Sequence, residues 1–118
     1  MNNQSYYHKE LAEGRWFQFS LAQQLGNTGS EINRAINHFE KNNIEAGLNA
    51  FYRGLELLDL TISDPRLRRR LKEIVRLREI LCDRFLGDNI YNTSFDFLKN
   101  IFISLVIWQE IRLGKGNP

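Results

Sequence analysis

A chain of 118 residues, 42% hydrophobic and 25% charged, reads as one globular domain with a modest core. Its net charge of +2 is too small to imply nucleic acid by itself, and its lone cysteine, Cys82, excludes an internal disulfide and the usual structural zinc site. The longest apolar run, residues 101 to 108, is broken only by Ser104 and falls well short of the roughly 20 residues that cross a bilayer. With a polar N-terminus, these features are those of a cytoplasmic protein with no membrane segment.

Residues 1 to about 9 read as flexible. A long first helix is expected after them. Phe17, Leu21, Leu25, Gly29, Ile32, Ile36 and Phe39 step by four, four, four, three, four and three, which is one helix face. Two glycines in Gly26-Asn27-Thr28-Gly29 each cost about 1 kcal/mol in a helix interior, and Thr28 with Glu31 spells a T-x-x-E capping box. Both argue for a break. The apolar phase does not reset there, however, and it favours one continuous or slightly kinked helix reaching about Lys41. Gly26, Gly29 and Ser30 then form a close-packing notch for a large side chain of another helix. They are not a phosphate loop, which needs a preceding strand and a Lys and Ser/Thr pair.

The second helix carries Ile44, Leu48, Phe51, Leu55, Leu58 and Ile62, the cleanest heptad of the chain. Ser63-Asp64-Pro65 stops it, and Asp64 and Pro65 suit the N-cap and first position of a third helix. Leu67, Leu71, Ile74, Leu77, Leu81 and Phe85 form the third core face, and Gly87 ends it. Thr93, with Asp96 three residues on, marks the start of a fourth helix to about Leu113, with 114–118 as a flexible tail. The fold class is all-α: an up-down four-helix bundle with a long first helix. At about 30 residues and 1.5 Å per residue that helix spans about 45 Å, and the second only about half as much. Its overhang needs cover. The fourth helix is apolar around nearly its whole circumference, which also calls for cover on every side. A homodimer follows, with Phe97, Ile101, Ile103, Val106, Ile107 and Trp108 as interface candidates.

The densest charge is Arg66, Arg68, Arg69, Arg70, Lys72 and Arg76. Between 64 and 86 the chain holds eight Lys and Arg against four Asp and Glu, a local balance of +4. Arginine forks suit phosphates, so the cluster is a candidate anion or nucleic-acid patch. The competing reading, which the sequence favours, is internal pairing of Arg68–Arg70 with Glu56 and Asp59, and pairs with Glu73 and Glu79 along the helix. His38, four residues after Arg34, lies on a polar face beside Glu31 and Lys41. No Glu-x-x-His pair or other ligand set supports a metal or cofactor, and no catalytic residue emerges. Trp16 and Phe17, with Tyr6 and Tyr7, read as core or dimer packing before a base-stacking platform.

The segments Trp16-Phe17, Ser20-Leu21-Ala22-x-Gln24-Leu25-Gly26-Asn27-x-Gly29-Ser30-Glu31, Leu57-Leu58-Asp59-Leu60-Thr61-Ile62-x-Asp64-Pro65-Arg66, Leu81-Cys82-Asp83 and Gly87-Asp88-Asn89 resemble a group of short uncharacterised prokaryotic helical proteins. The resemblance implies a helical fold and brings no activity with it. More distantly, the bundle is similar to the HEPN superfamily and to the substrate-binding subunits of minimal nucleotidyltransferases, at the level of fold alone. HEPN ribonucleases carry Arg, four to six residues, then His in a late helix. Arg112 has no His after it, and only three residues separate Arg34 from His38, so that activity is not implied. The expected function is that of a non-enzymatic helical bundle that homodimerises and binds a partner protein. The alternative is nucleic-acid or nucleotide binding through the basic face of the third helix.

Overall fold

The computed structural model describes Lys9 and residues 13–116, with side chains as far as Ile107. It contains four α-helices: α1 (Leu21–Glu40), α2 (Ile44–Ile62), α3 (Leu71–Leu86) and α4 (Phe95–Gly116). Two 3₁₀ segments, Arg15–Gln18 and Pro65–Arg70, lead into α1 and α3. No strand occurs among the described residues.

The long first helix is not what forms. As the apolar phase predicts, α1 runs unbroken through Gly26 and Gly29, but the chain breaks earlier, at Phe19-Ser20. There the Ser20 hydroxyl accepts from Gln23 N–H at 3.1 Å, and Gln23 Oε1 accepts from Ser20 N–H at 2.9 Å. This is the capping box, S-x-x-Q, eight residues before the T-x-x-E pattern. Thr28 and Ser30 turn their hydroxyls back onto the carbonyls of Gln24 and Gly26, and so lie in a helix interior. At 20 and 19 residues α1 and α2 match in length, and the expected overhang disappears.

α1 and α2 form an antiparallel hairpin closed by Asn42, whose φ of 65° places it in the left-handed region that asparagine tolerates. Their backbones approach closely at Gly47 and Gly54. A Cβ on Gly47 would sit 2.6 Å from the Phe39 ring, and one on Gly54 would sit 2.8 Å from Ile32 Cδ1. α4 runs antiparallel along the other side of α1, pairing Gly26 with Val106, Gly29 with Phe102 and Glu40 with Lys99. α3 stands further out, spaced by large side chains. Phe51 of α2 stacks on Phe85 of α3 at 4.6 Å between centroids, and Phe39 and Phe95 complete this aromatic end. Leu25, Ile32, Ile36, Leu58, Leu67, Ile74, Leu81 and Leu98 fill the common core. Alternating directions make an up-down bundle.

The third element opens as a 3₁₀ segment and becomes α-helical only at Leu71. Asp64 caps it, accepting from Arg66 N–H at 2.9 Å, with Pro65 at the first position. Gly87 closes α3, and Asp83 organises the loop that follows by accepting from the N–H groups of Ile90 and Tyr91. The cap of α4 is Ser94 rather than Thr93. The Ser94 hydroxyl accepts from Phe97 N–H, whereas Thr93 N–H is itself held by Asn89 Oδ1.

Candidate functional site

Residues from the separate motif segments meet at one end of the bundle, in a buried polar joint. Trp16 Nε1 donates to Thr61 Oγ1 at 3.0 Å. Gln24 Nε2 donates both to Trp16 O at 3.1 Å and to Asp64 Oδ2 at 3.0 Å. Arg66 forks onto Asp64 and reaches on to the carbonyls of Phe17 and Phe19. Trp16, Gln24, Thr61 and Asp64 are all buried. The Arg66 side-chain hydrogen bond is the main reason the Asp64 carboxyl lies below its ordinary range; burial opposes it, and the Arg66 N–H and Gln24 assist. The joint bolts the Arg15–Gln18 turn to the α2–α3 corner. Its Trp16 and Gln24 donors are used internally, while the buried Gln24 Oε1 accepts no hydrogen bond from the described residues; the joint is a structural device.

The six cations proposed as a patch fall into two groups. Arg66 is committed to this joint. Arg70 binds Glu73, through Nε at 2.7 Å. Arg68, Arg69, Lys72 and Arg76 are exposed, and among the described residues no acidic group pairs with them. The pairing of Arg68 and Arg69 with Asp59 does not form, because Asp59 is taken by Arg78, Nε to Oδ1 at 2.6 Å and Nη2 to Oδ2 at 3.3 Å. Downstream, Arg84 lies 3.9 Å over the Phe95 ring.

The other exceptional surface belongs to α4. Leu98, Phe102 and Leu105 are buried against the core. On the outer side Phe97, Ile103 and Ile107 are 48%, 54% and 53% exposed. Ile101 and Val106 are half-buried flankers packed on the core. The Trp108 side chain lies outside the described residues. Beside Ile103 and Ile107, a shallow groove of about 270 Å³ runs between α4 and α1, floored by Leu25, Gly26, Gly29 and Phe102 and edged by Ser30 and Asn33. The notch is thus half used. Gly29 receives Phe102, whose Cβ lies 3.0 Å from a Cβ built there, whereas Gly26 has only a distant Val106 methyl at 3.8 Å. A smaller apolar slot of about 140 Å³ lies on the opposite flank, between Leu77 and Ile80 of α3 and Phe97, Ile101 and Leu105 of α4.

His38 is half-buried on α1, and its neighbour Arg34 pairs with Glu31, which also binds Arg53. His8, Tyr6 and Tyr7 lie outside the described residues. Trp16 is a core residue. Burial pushes the Cys82 thiol up, which disfavours the reactive thiolate. Among the described residues no three His, Cys, Asp or Glu side chains gather as a metal site, and no helix is long and apolar enough to cross a membrane. Comparison with protein-family models, curated proteins and solved structures finds no match to this chain.

Sequence reasoning missed two features of this geometry. The Gly47–Ala50–Gly54 stripe that lets α2 approach α1 was visible as small residues at i, i+3 and i+7. The Gln24–Asp64 contact had no local signal, since its partners are forty residues apart.

Proposed function

We propose that this protein acts by association: it homodimerises through the outer face of α4 and the adjoining α1 groove, and as a dimer holds a partner protein. It carries no chemical step of its own in this reading. The observation that supports it is the half-exposed run of Phe97, Ile103 and Ile107 on a helix whose inner face is already buried. Phe97, Asn100, Ser104 and Ile107 step by three, four and three, the spacing of a helix–helix seam. Magnitudes say how much surface is needed. Finishing the burial of three half-exposed large side chains gives about 1 kcal/mol each, or about 6 kcal/mol over two chains. Association costs about 4–15 kcal/mol in lost freedom. The seam alone is marginal, so the groove at Gly26 and Ser30 belongs to the interface as well.

The test is Ile103→Lys with Ile107→Lys. Both side chains point outward, so the bundle should fold with an unchanged helical spectrum while sedimentation shows the monomer. An unchanged oligomeric state in that variant refutes the α4 interface.

A further inference from the structure

We infer that Arg68, Arg69, Lys72 and Arg76 form a surface that contacts the phosphates of nucleic acid without regard to base sequence. The inference is independent of self-association. It starts from an electrostatic cost. These four cations crowd the 3₁₀ segment and first turns of α3, the positive end of a helix macrodipole, where cations destabilise. The cation–carboxylate pairing that would relieve them does not form. Asp59 is held by Arg78, Glu73 by Arg70, and Asp64 by Arg66 and Gln24. The four therefore stand exposed over about 13 Å of chain, taking 2.0 Å per 3₁₀ residue and 1.5 Å per α residue.

The surroundings choose among anionic ligands. The exposed residues of the 3₁₀ segment are Pro65, Arg66, Arg68 and Arg69, with no aromatic or large aliphatic group. A protein partner needs an apolar centre to its interface, and the large aliphatic groups exposed among the cations, Leu71 and Val75 at 39% and 36%, offer a smaller one than the outer face of α4. An anionic membrane lying along α3 would also meet Glu79, which follows Lys72 and Arg76 on the exposed face of the same helix. A phosphate chain following the four cations meets Glu73 as its exposed acidic neighbour, and that carboxylate is already held by Arg70. Three of the four are arginines, whose planar forks take phosphate oxygens two at a time. The Arg66 guanidinium fixes this end by binding Asp64 and the Phe17 and Phe19 carbonyls, so the surface is rigid at its root.

The test is fluorescence anisotropy with a labelled 20-mer oligouridylate at 50 and 200 mM salt. Four neutralised phosphates give a slope of about −2.8 in log K against log salt, hence about a 50-fold loss of affinity between those concentrations. Changing all four residues to Gln should abolish binding and leave the melting temperature unchanged or raised, since the substitution removes cations from a helix start. Should that variant fail to fold, Lys72→Gln with Arg76→Gln should lower the slope by about 1.4. Absence of binding at 50 mM salt overturns the inference, as does equal binding by a folded variant. Tighter binding to polyglutamate or to phosphatidylserine vesicles than to the oligonucleotide also overturns it, and assigns the surface to an acidic protein or a membrane.

Discussion

Asp64 ties the Pro65–Arg70 segment to α1 through a single buried side chain. Only 2% of its side chain is exposed, yet it carries charge, caps the Pro65–Arg70 segment and receives Arg66 and Gln24. Its cap role was readable from Asp-Pro alone. Its joint role was not, because Gln24 sits on the margin of the apolar stripe and local spacing does not announce a distant partner. Asp64→Asn leaves Arg66 without its counter-charge at a buried joint and is expected to cost about 2–3 kcal/mol in urea unfolding at neutral pH. The pH sign follows from the direction of the shift. The folded carboxyl lies below its ordinary 3.8, so its contribution is whole above that value and drains away as pH falls through the lower folded value. Wild type should therefore lose stability more steeply than Asp64→Asn below about pH 4; parallel curves contradict this. At Cys82, burial raises the thiol, so a thiol reagent near neutral pH should label the folded chain much more slowly than the urea-unfolded chain.

At the scale of elements, glycines separate the contacts that matter from those that do not. Ala in place of Gly gains about 1 kcal/mol of helix propensity anywhere in a helix interior. At Gly54 the new Cβ meets Ile32 at 2.8 Å, and overpacking costs about 1–3 kcal/mol, so Gly54→Ala should lower stability. At Gly26 the only neighbour is 3.8 Å away, so Gly26→Ala should stabilise the isolated bundle by about 0.5–1 kcal/mol. Gly29→Leu should destabilise strongly against Phe102. Urea midpoints for the three variants check the order; a stabilising Gly54→Ala contradicts the packing account. Helix identity and the unbroken course through Gly29 were legible because apolar phase reports the buried face directly. The start of α1 was not. Ser20/Gln23 and Thr28/Glu31 both spell capping boxes, and the choice is made by Trp16, which must leave the helical path to reach Thr61. The same limit applies at Arg68–Arg70, where proximity to Asp59 along the chain was outweighed by Arg78 across the α2–α3 face.

For the whole molecule, α1 and α2 match in length, so no overhang of the first helix calls for a second chain. α4 buries one face, leaves Phe97, Ile103 and Ile107 half exposed, and borders a groove whose floor is only half filled by Phe102. Composition alone marked the helix as apolar all round; only the packed arrangement shows which side is already paired. The most direct test is light scattering of the unmodified full chain at micromolar concentration in moderate salt. The account predicts a mass twice the 13.9 kDa of one chain, falling to one chain in Ile103→Lys with Ile107→Lys. A single 13.9 kDa species for the unmodified chain at that concentration would contradict it.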